Sequence, residues 1–190
     1  MRPLALIAAL LLASPAAAQN YTAAPAVSGQ RQGEAGTARA SMDVNAPPAA
    51  VWSVLSDCEH APRFMRDLIS CRILESGPGW DVREHRAHGW ILHPVMTNVS
   101  RITLDPGRRL AFHRIRGDWT RSDGEWRLTP IDGGRGTHVE YEITAVLGVP
   151  VPAGITQGRM IASVRDTLAS LRREAERVQT AQQTSLPGGR

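Results

Sequence analysis

The sequence predicts an α+β fold. A curved antiparallel sheet of about six to seven strands wraps around one long C-terminal helix, and two short helices follow the first strand. Three observations carry this expectation. Ile161, Val164, Leu168, Leu171, Ala175 and Val178 recur at steps of three and four, a spacing that makes one apolar stripe on a helix. Residues 38–147 instead read mainly as strands separated by short Gly/Pro turns, and short connections favour antiparallel neighbours. A single long helix after such a run buries its stripe by lying against the sheet.

The elements follow in chain order. Arg2 and the apolar run 4–13 precede Ala16-Ala17-Ala18, so residues 1–18 read as a cleavable signal peptide. The run of ~10 residues is shorter than the ~20 a membrane-spanning helix needs. The expected mature chain starts near Gln19 and is periplasmic or secreted. Residues 19–37 show no apolar period and read as a flexible lead. Residues 38–178 form the domain. Ala40, Met42 and Val44 alternate with polar neighbours as a half-buried strand. Asn45 is a candidate cap for a short helix that starts at the prolines 47 and 48 and runs to about Asp57. Pro62 opens another helical turn.

Further strands are expected at 70–75, 80–87, 90–104, 109–116, 124–131 and 137–145. Gly89 marks a break, and residues 117–123 read as turn-rich. The last strand alternates cleanly, with Val139, Tyr141, Ile143 and Ala145 on one face. The final helix, from about 153 to about 178, would be ~39 Å long for ~26 residues. Residues 179–190 lose the stripe and end Pro-Gly-Gly-Arg, which reads as a disordered tail.

Composition narrows the function classes. Of 190 residues, the 22 basic ones are all arginine, spread along the chain, and the net charge is +4. Nucleic-acid binding needs denser basic clusters, so no nucleic acid is expected as a partner. A weak, transient contact with an anionic membrane surface fits the charge. Export favours pairing of Cys58 with Cys71. The alternative is two free buried thiols, and there is no CxxC spacing to suggest redox work.

One stretch carries a resemblance. Residues 44–57 read VNAPPAAVWSVLSD, followed by His60-Ala61-Pro62-Arg63-Phe64-Met65 and by Cys71-Arg72-Ile73-Leu74-Glu75. This is similar to the "APPEAVWxVLxDxExxPxF" run and following "VLE" strand of the START and birch-pollen-allergen superfamily, also called SRPBCC. Within it, the chain resembles the polyketide cyclase/dehydrase and coenzyme-Q-binding START-like branch. The resemblance spans about residues 38–178 and implies the helix-grip fold. It implies a hydrophobic pocket between sheet and helix as well, although one fold hosts many activities.

No catalytic or metal motif accompanies it. There is no HExxH, GxSxG, Walker loop or GxGxxG with its acidic partner, and neither a metal nor another cofactor is expected. His85 and His88, three apart on a strand, point to opposite faces. His113, Glu84, Arg114 and Tyr141 are the titratable candidates. Glu84 and Arg114 read as solvent-facing sheet partners, and Tyr141 as a core or cavity-wall residue. Trp52, Phe64, Met65, Trp90, Met96, Phe112, Trp126, Tyr141 and Met160 could line a pocket, or fill a core. In this superfamily the loop before the long helix often borders the pocket mouth. Val149, Pro150, Val151 and Ile155 are therefore candidates for a pocket-mouth lip. The preferred reading is an exported protein that binds a lipid, quinone or similar apolar molecule. The alternatives are a polyketide cyclase/dehydratase-type enzyme and an envelope interaction protein with a closed core.

Overall fold

The computed structural model describes residues 20–90, 93–148 and 153–185. Eight strands form one antiparallel sheet: β1 (Ala26–Gln32), β2 (Ala35–Val44), β3 (Leu68–Gly77), β4 (Trp80–Trp90), β5 (His93–Asp105), β6 (Arg109–Gly117), β7 (Trp119–Ile131) and β8 (Gly136–Leu147). Their order across the sheet is β1-β2-β8-β7-β6-β5-β4-β3. Helix α1 (Pro48–Ser56) and a 3-10 turn (Ala61–Arg63) follow β2, and helix α2 (Ala153–Ser185) closes the chain. This is the helix-grip arrangement.

The stripe on α2 does what its spacing requires. Val164, Leu168, Leu171 and Ala175 are buried, against Ala38, Ala40, Met42, Val44 and Val139 of the sheet and Val51, Val54 and Leu55 of α1. The helix packs on β1, β2 and α1. Gly29 of β1 permits this approach, since a Cβ there would sit 3.0 Å from the Ile161 side chain. Cys58 and Cys71 form a disulfide with Cα atoms 5.3 Å apart. It ties the segment after α1 to the edge strand β3.

Several boundaries differ from the sequence expectation. The lead 19–37 is not flexible throughout: β1 and the start of β2 lie in it. Residues 26–32 carry little apolar signal because β1 is an edge strand, held by its backbone ladder to β2. The sheet accordingly has eight strands. Asn45 does not cap α1; Pro47 occupies that position without a side-chain bond, and the Asn45 N–H donates to Glu176 Oε1 at 3.2 Å. Strand β4 runs past Gly89 to Trp90, which pairs with His93. The turn-rich stretch 117–123 is mostly the start of β7. Helix α2 passes 178 and reaches Ser185, because Ala181, Gln182 and Gln183 are helix-compatible and the first breaker is Pro187. Residues 1–18, the lip residues Val149, Pro150 and Val151, and residues 186–190 lie outside the described residues.

Candidate ligand site

Alternation along each strand sends one set of side chains to the concave face that grips α2. The register fixes which ones. Asp81 faces Ile102, Arg83 faces Ser100, His85 faces Asn98 and Ala87 faces Met96 across β4 and β5. Ser100 and Ile102 are opposite Arg114 and Phe112 of β6, and Asn98 is opposite Gly117. Leu110 faces Trp126, and Trp126 faces Tyr141. Arg83 confirms the direction of this face, because its guanidinium donates to the Leu55 and Ser56 carbonyls at the end of α1.

The face has two characters. Toward β7 and β8 it is an aromatic wall. The Trp126 and Tyr141 rings stack with centroids 4.0 Å apart, and Phe112 stacks on Tyr141 at 6.3 Å. Burial pushes the Tyr141 hydroxyl well above the usual tyrosine range, so it stays protonated. Toward β4, β5 and β6 the face is polar. Asp81, Arg83 and Ser100 are buried, and Arg83 forms a fork with Asp81, 2.9 Å for each of two bonds.

His85 is held neutral in this setting. Removal from water and then the positive charge of Arg83 bring its imidazole down to about 4. At neutral pH it offers one donor and one acceptor. Next to it on β5, Asn98 donates from Nδ2 to Ser100 Oγ at 3.2 Å. Arg114 Nη2 donates to the Gly117 carbonyl at 2.8 Å. Asn98 Oδ1 and Arg114 Nε are both buried without a hydrogen-bond partner. The two side chains converge on Gly117. This residue has φ +132, and a Cβ there would lie 3.0 Å from Asn98 Oδ1 and 2.3 Å from the Thr97 carbonyl. Only glycine fits that conformation and that crowding.

The sequence-based candidates separate into groups. Phe112, Trp126 and Tyr141 form the wall. Met96 is buried beside Ala87, toward the other end of the strands from the wall. Phe64 is buried, and Trp52 and Met65 are half-buried in the main core. Met160 packs at Gly36, whose Cβ would lie 3.3 Å from its Sδ. The side chains of Trp90 and Ile155 lie outside the described residues. Arg114 is half-buried: it shares the parity of Phe112 and its Nε is buried, while its Nη2 bond to the Gly117 carbonyl is exposed. Glu84 does face outward, paired with Arg72 at 3.1 Å. His113 is on the outer face with Asp123 at 2.7 Å. Two shallow hollows, of about 320 and 400 Å³, are lined mainly by outer-face residues such as Arg39 and Glu140, or Arg109 and Glu125. Neither includes the concave polar groups. No group of His, Cys, Asp and Glu among the described residues could hold a metal.

Sequence reasoning missed Asp81, Arg83, His85, Asn98 and Ser100 as a set. A signal exists. Asp81, Arg83 and His85 share parity with Ala87, and Asn98 and Ser100 share parity with Met96 and Ile102.

A family model described as "Polyketide cyclase / dehydrase and lipid transport" matches residues 44–172. The chain belongs to this family. The match takes in α1, β3 to β8 and most of α2, hence the whole candidate site. Solved structures agree on the fold. A STAR-related lipid transfer protein from Xanthomonas axonopodis has a TM-score of 0.68 at 17% identity, covering 84% of this chain and 98% of that one. The human StarD13 lipid transfer and protein localization domain gives 0.65 at 16%, covering 82% and 86%. The Zhui aromatase/cyclase from a Streptomyces species gives 0.58 at 20%, covering 82% and 99%. No curated protein sequence is a significant match.

Proposed function

We propose that this family member binds an apolar small molecule, a lipid, a quinone or a similar compound, on the concave face between β4–β7 and α2. The observation that carries the reading is a pair of buried, unpartnered polar atoms, Asn98 Oδ1 and Arg114 Nε, on the same concave face as the stacked wall of Phe112, Tyr141 and Trp126. Unsatisfied buried groups cost ~1–3 kcal/mol each, and a ligand that supplies partners removes that cost. Apolar contact with the wall adds ~25 cal/mol for each Å² buried. The fold shared with a STAR-related lipid transfer protein and with the StarD13 lipid transfer and protein localization domain supports the same reading.

A second reading, a polyketide cyclase/dehydratase-type enzyme, is favoured by one feature. His85 is a neutral imidazole on the concave face, able to donate one hydrogen bond and accept another from a polar group of a substrate. Residues 1–18 would export the protein, and the Cys58–Cys71 disulfide suits an oxidising compartment. Val149, Pro150, Val151 and Ile155 would form a lip that touches a membrane surface.

The test is a titration with ubiquinone and phospholipid in detergent-free buffer, followed by tryptophan fluorescence. Saturable quenching is expected, and Ala87→Trp, which fills the concave face, should abolish it while the protein still melts cooperatively. Equal quenching in both proteins would place binding elsewhere and sink the proposal.

A further inference from the structure

We infer that one end of the sheet, the end where α2 begins, docks on an anionic phospholipid bilayer, whether or not the concave face holds a ligand. Antiparallel order brings the starts of β3, β5 and β7 and the ends of β4, β6 and β8 to that end. Four large apolar side chains are exposed among the described residues: Ile69, Ile73, Val95 and Ile115, at 38%, 49%, 39% and 48%. Three of them, Ile69, Val95 and Ile115, lie within two residues of a strand terminus at this one end. Trp119, half-buried, stands there too, at the start of β7. Exposed apolar residues scattered singly need no explanation, whereas their gathering at one end marks a contact surface.

Charge selects the partner. Arg86 and Arg116 are exposed and have no ion-pair partner among the described residues. They flank β5 on the outer face, Arg86 opposite Thr97 and Arg116 opposite Val99. Arg66, just before β3, is 72% exposed, and its nearest carboxylate, Asp166, is 3.9 Å away. The neighbouring acids are engaged within the protein: Asp67 accepts from Ser163 Oγ at 2.7 Å, and Asp118 accepts the Thr97 N–H at 2.6 Å. The opposite end of the sheet is built differently. Its turns run Gly77-Pro78-Gly79, Asp105-Pro106-Gly107 and Asp132-Gly133-Gly134. It exposes no large apolar side chain among the described residues, and its Arg108 and Arg135 are paired with Asp105 and Asp132. Isoleucine and valine beside unpaired arginine suit a bilayer interface. The apolar chains enter the boundary between headgroups and acyl chains, and the guanidinium groups meet lipid phosphate. An acidic polymer would satisfy the arginines and leave the isoleucines in water.

The test is vesicle flotation with protein exported by a bacterial host and purified without detergent. Vesicles are phosphatidylcholine with or without phosphatidylglycerol. Wild type should bind the phosphatidylglycerol vesicles at least about tenfold more tightly, and high salt should erase that preference. Arg86→Gln with Arg116→Gln should weaken binding to the anionic vesicles at least about fivefold. Val95→Ser with Ile115→Ser should do the same, through lost apolar contact. Arg108→Gln with Arg135→Gln removes equal charge from the opposite end and should leave binding within about twofold. All three variants change exposed residues and should melt cooperatively. An equal loss in the Arg108, Arg135 variant would reduce the effect to net charge and overturn the docking face. Undiminished binding by the Val95, Ile115 variant would point to a purely ionic partner and overturn the bilayer. Absence of wild-type flotation would overturn the docking face while leaving ligand binding, read by quinone quenching, untouched.

Discussion

Arg83 binds Asp81 two residues away on the same strand, and both side chains are buried. The two guanidinium–carboxylate bonds measure 2.9 Å each, and the side chains are 5% and 6% exposed. The same guanidinium donates to the Leu55 carbonyl at 3.4 Å and to the Ser56 carbonyl at 3.2 Å. Those carbonyls end α1 and are short of intrahelical donors, and a cation suits that end of a helix dipole. One ion pair therefore fastens α1 to β4.

This arrangement predicts an asymmetric mutational result. Arg83→Met leaves Asp81 buried and unpaired, and should destabilise the fold by ~3–5 kcal/mol. Adding Asp81→Leu should recover much of that loss, since the stranded charge is gone. Urea denaturation of both variants measures it. A double variant no more stable than Arg83→Met would contradict the burial argument.

His85 predicts a dependence on pH. Its imidazole is lowered from 6.5 to about 4 in the folded state, so the unfolded chain binds its proton more readily. Stability from this group is fully present above about pH 6.5. It falls as pH drops toward about 4, because the unfolded state gains a proton that the folded state refuses. His85→Asn should flatten that part of the stability profile. An NMR titration should find the His85 ring neutral at pH 5. A midpoint near 6.5 would show that the ring is not desolvated as described.

The disulfide closes a loop with a sequence separation of 13 between Cys58 and Cys71. Its loss should cost ~3 kcal/mol in the chain-entropy account. For a domain of this size that is a fall of about 6–12 °C in Tm. A paired Cys58→Ser, Cys71→Ser variant melted beside the wild type tests this, with reductant as a second route to the same state. An unchanged Tm would show that the link adds nothing to the fold.

The lip is tested separately. Changing Val149 and Val151 to Ser, with Pro150 kept, should weaken binding to anionic liposomes by several-fold and leave Tm within about 2 °C. Undiminished binding would remove the lip from the account.

Much of the architecture was legible because two periods were clean. The three-four spacing of Val164, Leu168, Leu171 and Ala175 gave the buried face of α2. The alternation of Val139 and Tyr141 against Glu140 and Glu142 gave the inward face of β8. Strand β1 was not legible, since its hold is backbone pairing and Val27 is its one large apolar residue. Phe112, Trp126 and Tyr141 of the aromatic wall were all among the residues read as lining a pocket or filling a core. The polar half was hidden because apolar periodicity finds only apolar faces. Asp81, Arg83 and Asn98 look like solvent-side residues until the register places them inside. Arg114, read as solvent-facing, is half-buried, with Nε inside and the Nη2 bond exposed.

The central claim is that the concave face holds an apolar ligand. The most direct measurement is native mass spectrometry of protein exported by a bacterial host and purified without detergent, combined with organic extraction. The account predicts about one reproducible apolar molecule per chain. A clean mass of the bare chain, unchanged after incubation with lipids, fatty acids and quinones, would contradict it.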